Sequence, residues 1–328
     1  MNRDYKPFIR VDHLKKYFPV AKNWRGKNSQ YVKAVDDVSF SIDEGETLGL
    51  VGESGCGKST TGRLLLHLLA PTSGSLFFDG QDLTQLSKQA LWQKRREMQF
   101  IFQDPYAALN PRMTIQDSLH EPLKAYGEDK RTRSETIKTL IDAVGIPSQY
   151  LNRYPHEFSG GQLQRIGIAR SLALKPKFVV ADEPVAALDM SIQAQILNLM
   201  KELQHAFNYT YLFISHDLSV IDYMSDRIGV MYLGKMVELT DRDALYQEPL
   251  HPYTQALLSA IPIAEPKRSK KKIMLKGEIP SPVHPPSGCH FRTRCPFAKA
   301  ICAEKEPEWV EMKKGHYVAC HVVQEAHQ

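Results

Sequence analysis

Thr47-Leu-Gly-Leu-Val51 runs directly into Gly52-Glu-Ser-Gly-Cys-Gly-Lys58-Ser59-Thr60, and this stretch decides the fold. The apolar run reads as a short strand, set off by turn chemistry at Glu44-Gly45-Glu46. From Lys58 to Leu69 apolar residues recur at helical spacing until Ala70-Pro71 ends the pattern. Strand, glycine-rich loop and helix form the setting in which G-x-x-x-x-G-K-[ST] holds phosphate. Backbone N–H groups of Gly52, Ser54, Gly55, Cys56 and Gly57 can face one point, and the helix adds the positive end of its dipole. Lys58 is placed to reach the β and γ phosphates and the Ser59 hydroxyl to ligate Mg²⁺, with Thr60 beside it.

Outward from the loop, residues 8–50 read as strands, with Ile9-Arg-Val11, Leu14 and the alternation Val35 to Ile42 upstream of Thr47. Residues 104–175 read as mostly helical, clearest over Thr132 to Val144 and Gly160 to Ala173. Phe178-Val-Val-Ala181 is fully apolar, as in a strand buried on both faces, and Tyr209 to Ser215 repeats it after a helix from Ser191 to Phe207. Such alternation predicts an α/β fold with a mostly parallel sheet covered on both sides. The Phe178 strand delivers Asp182 and Glu183 at its C-terminal end, the edge where open α/β sheets bind ligands. Asp182 suits a Mg²⁺ shell and Glu183 the polarising of an attacking water. Alone, this acid pair before Pro184 would read as a helix cap.

The chain has 328 residues, 24% charged and 42% hydrophobic, with a formal net charge of +5. Its longest dense apolar stretch, Leu64 to Ala70, is far short of the ~20 residues a membrane helix needs. The N-terminus lacks a secretory core, which sets the expectation of a cytoplasmic chain. Basic runs at Lys94-Arg-Arg96 and Lys267 to Lys272 read as solvated surface, and no nucleic-acid partner is expected.

Ser159-Gly160-Gly161-Gln162 resembles the signature of ABC transporter ATPases, with Phe158 where leucine is commoner. Gln103, Ala187-Leu-Asp189 and His216 follow the same family's order, while Ala186 stands where serine is frequent. The resemblance implies a P-loop NTPase of the ABC type, with an N-terminal antiparallel β subdomain and a helical signature subdomain (about 104–175). It further implies that the signature caps ATP bound by a partner subunit, that Gln103 contacts Mg²⁺ and water, and that His216 contacts the γ-phosphate. Adenine would stack on Phe18, or on Tyr17.

Gln103-Asp-Pro-Tyr-Ala-Ala-Leu-Asn-Pro-Arg112, Arg153-Tyr-Pro-His-Glu-Phe158 and His251-Pro-Tyr-Thr-Gln-Ala-Leu-Leu258 narrow the likeness to oligopeptide and dipeptide importer ATPases. It is closest to their second, F-type subunit. Such subunits work with a sister ATPase, two transmembrane permease subunits and an extracytoplasmic peptide-binding protein, at the cytoplasmic face of the inner membrane. Nickel, glutathione and antimicrobial-peptide systems share the tail pattern. A soluble ABC ATPase is the rival from another class.

Composition shifts after residue 262. A Pro- and Lys-rich linker (263–288) is expected to separate the ATPase domain (1–262) from a cysteine-rich tail (289–328). Cys289-x₅-Cys295-x₆-Cys302-x₁₇-Cys320 supplies four thiolates. Clustered cysteines in a cytosolic chain point to a metal more than to disulfides. The spacing itself defines only a tetrathiolate site. Family resemblance favours a [4Fe–4S] cluster, with zinc as the alternative and His290, His316 or His321 as substitute ligands.

Overall fold

The computed structural model describes residues 6–22, 28–261 and 272–327. The first nine residues of the expected linker (263–271), and with them nearly all of the Lys267 to Lys272 run, lie outside them. The described chain divides into two compact units, one from residues 1–42, 48–84 and 215–328, the other from 43–47 and 85–214.

In the first unit, strand Ile9–Lys22 pairs antiparallel with Asn28–Ile42 on one side and Ser73–Phe78 on the other. Gln81–Asp82 closes this four-stranded sheet. Ile9, Val11, Leu14, Val35, Val38 and Ile42 are all buried. The alternation read in the sequence breaks between Val11 and Leu14 and between Val35 and Val38. There His13 (φ 51°) and Asp37 (φ 65°) sit in left-handed bulges that bring the apolar side chains back to the inner face. A second sheet pairs the loop strand, Thr47–Val51, in parallel with Arg227–Tyr232, which continues antiparallel into Lys235–Asp241.

Helix Lys58–Leu65 ends four residues before the Leu69 the spacing suggests. His67 takes a left-handed conformation (φ 49°), and its N–H donates to Leu64 O while Leu68 N–H donates to Arg63 O. These two bonds close a Schellman end with histidine in the position glycine usually fills. The sequence carried no glycine there to announce it.

The second unit holds three parallel strands, in the order Thr210–Ile214, Phe178–Asp182, Met98–Ile101. Every residue of the first two is buried, which is why neither alternates. Helices Ile115–Ala125, Lys130–Ala143 and Gly160–Leu172 pack on one another. Lys130–Ala143 starts two residues before the expected Thr132 because Asp129 caps it, its carboxylate accepting from Arg131 and Thr132 N–H. Asp189 does the same for helix Met190–Phe207.

The cysteine tail is continuous with the first unit. Strand His316–Val318 pairs with Val310–Lys313 and, on its other edge, with Lys235–Asp241. Glu238 of that last strand is fully buried and ties the segments together. Its carboxylate accepts from Leu250 N–H (2.7 Å), His251 N–H (2.9 Å) and His316 Nε2 (2.8 Å). Removing one partner of such a network leaves buried donors unmatched. Glu238→Ala is therefore expected to cost about 3 kcal/mol, read as a lowered midpoint of urea unfolding; an unchanged midpoint would show that the network carries no stability.

Candidate nucleotide-binding site

The phosphate loop occupies the bend between strand Thr47–Val51 and helix Lys58–Leu65, as its sequence requires. Gly52 (φ 156°) and Gly57 (φ 111°) are irreplaceable for two reasons. Both lie outside ordinary L-residue space, and a Cβ would stand 2.2 Å from Met231 O at the first and 2.2 Å from Ala34 O at the second. Ser54 and Gly55 are exposed, Ser59 and Thr60 half-buried. Lys58 is 5% exposed, and its ammonium donates to the carbonyls of Gly52 (2.7 Å) and Glu53 (3.2 Å). The charge is thereby fixed over the loop, where an anion would meet it. Burial pushes the Cys56 thiol up, although nearby Lys58 opposes the shift. Its place in the motif is thus served by its backbone.

Three further groups hold this loop, and none stood out in the sequence as part of it. Glu53 N–H donates to the Tyr253 hydroxyl at 2.9 Å. Gly234 N–H donates to Cys56 O at 2.9 Å. The Glu53 carboxylate takes a two-pronged bond from Arg294, at 2.6 and 3.0 Å. Tyr253 belongs to the His251-Pro-Tyr run that marked the family likeness, but its role needed the fold. His251 accepts from Tyr253 N–H, and full burial lowers its pKa to about 4, so it serves as a neutral cap.

His216 lies exposed just beyond Ser215, whose N–H donates to Leu50 O beside the loop. Tyr17 and Phe18 face opposite ways, as successive strand residues do. Tyr17 gives its hydroxyl to the buried Asp36, while the half-buried Phe18 has Lys16 Nζ 5.1 Å from its ring. The Tyr17 phenol is thus committed to Asp36.

In the second unit, Asp182 is 5% exposed at the end of its strand. Glu183 is in the left-handed region (φ 48°), a strained position for glutamate, held by its N–H donating to Ile214 O. Gln103 Nε2 donates to Glu183 Oε2 at 3.0 Å, bringing two of the expected catalytic residues together. The signature opens helix Gly160–Leu172 through a reciprocal capping box between Ser159 and Gln162. Gly160 has room around it, whereas a Cβ on Gly161 would meet Ile192 Cγ2 at 2.5 Å. Phe158, the departure from leucine, is simply buried.

The four tail cysteines share one neighbourhood. Cys302 and Cys320 are buried, Cys289 and Cys295 half-buried, and none is in a disulfide. Burial pushes the Cys289 thiol up to about 12, and negative charge on the other three would push it further. Burial likewise raises Cys295 and Cys320. Gly288 (φ 64°) permits the close approach that lets Cys289 N–H donate to Cys302 O at 2.8 Å. The histidines considered as substitute ligands have other partners: His290 the Leu233 carbonyl, His316 Glu238, and His321 the Lys305 carbonyl. Asp36, His290 and Glu306 also converge, but the Lys235 ammonium lies 3.4 Å from Asp36 and 2.9 Å from Glu306 and supplies the positive charge there.

Residues 35–186 match the ABC transporter family, and residues 237–302 match the oligopeptide/dipeptide transporter C-terminal region. The chain is 56% identical over 318 residues to an oligopeptide transport ATP-binding protein (AppF) of Bacillus subtilis, covering 96% of this chain and 97% of that one. It is 50% identical over 315 residues to a probable peptide ABC transporter ATP-binding protein of Sinorhizobium fredii, covering 96% and 89%. Among solved structures, a dimeric ATP-binding cassette in a post-hydrolysis state bound to ADP and Pi is similar at 26% identity. Its TM-score is 0.64, over 71% of this chain and 98% of that one. Among the described residues, no helix is long and apolar enough to cross a membrane.

The strain at Glu183 yields a test of whether function fixes this residue. Glu183→Gly is expected to raise stability by about 1 kcal/mol while abolishing ATP turnover, read by thermal melting beside a phosphate-release assay. A loss of stability would show that the glutamate is retained for packing.

Proposed function

The chain belongs to the ABC transporter family, in the branch carrying the oligopeptide/dipeptide C-terminal region, and on that premise we propose that it is the ATP-hydrolysing subunit that drives peptide import across the bacterial inner membrane. The observation that carries this reading is the phosphate loop, with left-handed glycines at Gly52 and Gly57 and the buried ammonium of Lys58 held over it. ATP lies with its β and γ phosphates on the N–H groups of the loop and on Lys58. Ser59, Asp182 and Gln103 are the residues that would hold Mg²⁺, which neutralises charge between the phosphates. Glu183, oriented by its bond from Gln103, polarises the attacking water, and His216 touches the γ-phosphate. Phe18 stacks on adenine.

Ser159 to Gln162 of this chain would cap the γ-phosphate held by a sister ATPase, and the sister's signature would cap the ATP held here. Two permease subunits and an extracytoplasmic peptide-binding protein complete the assembly, with this chain peripheral at its cytoplasmic face. ATP binds the closed pair better than the open one, so binding and hydrolysis shift the transporter between its two states. Glu183→Gln in the assembled transporter is expected to retain ATP and to slow turnover about 10²-fold or more. Turnover at the parent rate would remove Glu183 from the mechanism.

The four cysteines fit an iron–sulfur cluster of the [4Fe–4S] type, being an all-sulfur donor set, at least half-buried and free of disulfides. When bound, the cluster would cross-link three tail segments whose buried apolar contacts include Phe291 and the small cluster of Leu250, Val318 and Cys320. Anaerobically purified chain is expected to carry about four irons and four sulfides, lost in Cys302→Ala. Stoichiometric zinc in colourless protein would replace the cluster with a zinc site and leave the ATPase reading intact.

A further inference from the structure

Glu53 is an acid within an anion-binding loop, and nothing in ATP hydrolysis calls for it. Left alone, its charge would oppose the phosphates that the surrounding N–H groups attract. Instead both carboxylate oxygens are occupied by Arg294, through Nη1 at 2.6 Å and Nη2 at 3.0 Å. The Arg294 side chain is 9% exposed and that of Glu53 25%, so solvent screens the pair only partly.

Arg294 comes from the cysteine tail, 241 residues away along the chain. Its position is set by a tightly bonded turn in which Arg292 N–H donates to Cys289 O and Arg294 N–H to Phe291 O. Phe291, 1% exposed, seats that turn on Tyr232 and Tyr253, with ring centroids 5.2 and 5.3 Å away. Tyr253 is the residue that accepts Glu53 N–H. A second route runs from His290, through the Leu233 carbonyl, to Gly234, whose N–H meets Cys56 O.

We propose that Arg294 is a positioning residue of the nucleotide site: it neutralises Glu53, turns that carboxylate toward the tail, and so keeps the phosphate loop electropositive. The cysteine tail is then a working part of the ATP site. This rests on reading the loop as the nucleotide site, and it makes a claim of sign that a merely structural tether would not. Loss of Arg294 exposes the phosphates to an uncompensated acid, whereas loss of the acid itself does not. ATP, the more highly charged nucleotide, suffers more than ADP.

The test is equilibrium binding of ATP and of ADP to the full-length chain, with thermal melts of each variant alongside. Arg294→Ala is expected to weaken ATP about tenfold, equivalent to 1.4 kcal/mol, and ADP less. Glu53→Gln alone should bind ATP at least as tightly as the parent, and adding it to Arg294→Ala should return ATP affinity to within about twofold. Parent-like ATP affinity in Arg294→Ala would overturn the proposal, as would a double variant no better than Arg294→Ala. If Arg294→Ala does not fold, Glu53→Gln decides: equal or tighter ATP binding supports neutralisation, and weaker binding overturns it. Lys58→Ala separates the two levels, because ATP binding unaffected by that change would sink the phosphate-loop reading itself.

Discussion

A short loop that must hold several backbone N–H groups toward one point cannot hold itself. Gly52 and Gly57 provide the conformations, but the carbonyls they press against, Met231 O and Ala34 O, come from other strands. The hydroxyl beneath Glu53 comes from the helix after residue 251, and the guanidinium beside it comes from the tail. The loop is thus the point on which the first unit converges. Its strand, the Tyr232 turn and the cysteine turn all end against it. An anion site of this kind works because its dipoles are fixed before the ligand arrives, leaving little reorganisation to be done on binding.

A similar logic governs the acid pair in the second unit. The all-apolar strand Phe178–Asp182 is buried throughout, so its end is a rigid platform. Glu183 leaves that platform in a left-handed conformation that glutamate adopts only at some cost, and the bond from Gln103 fixes its carboxylate. Strain at such a residue persists only where the surroundings over-determine it. Here the Glu183 N–H bond to Ile214 O and the Ala186 N–H bond back to Glu183 O supply that determination.

The tail shows how a segment poor in apolar residues is held in place. Its hairpin borrows an edge of the second sheet, and Glu238 gathers the His251 segment and His316 about one buried carboxylate. Phe291 completes an aromatic group with Tyr232, Tyr253 and His251. Four thiols then lie against this frame. The tail falls in the same compact unit as the phosphate loop and the antiparallel sheet.

Local chemistry alone made legible the strand–loop–helix around Lys58, the buried run before Asp182, the capped start at Ser159 and the clustering of four cysteines after residue 288. Each is legible because a short stretch must contain particular residue types for the backbone to turn, cap or bury as it does. Two local features escaped: His67 stands in a glycine's place at a helix end, and the ordinary aspartate caps Asp129 and Asp189 start two helices ahead of the apolar spacing that marks their beginnings in the sequence. Pairing over distance emerged only with the fold. Glu53 with Arg294, Glu53 N–H with Tyr253, and Glu238 with His316 join residues that no spacing rule connects. A side chain's partner is fixed by which strands and turns are brought together, and that is settled by burial of the whole sheet rather than by its neighbours in sequence.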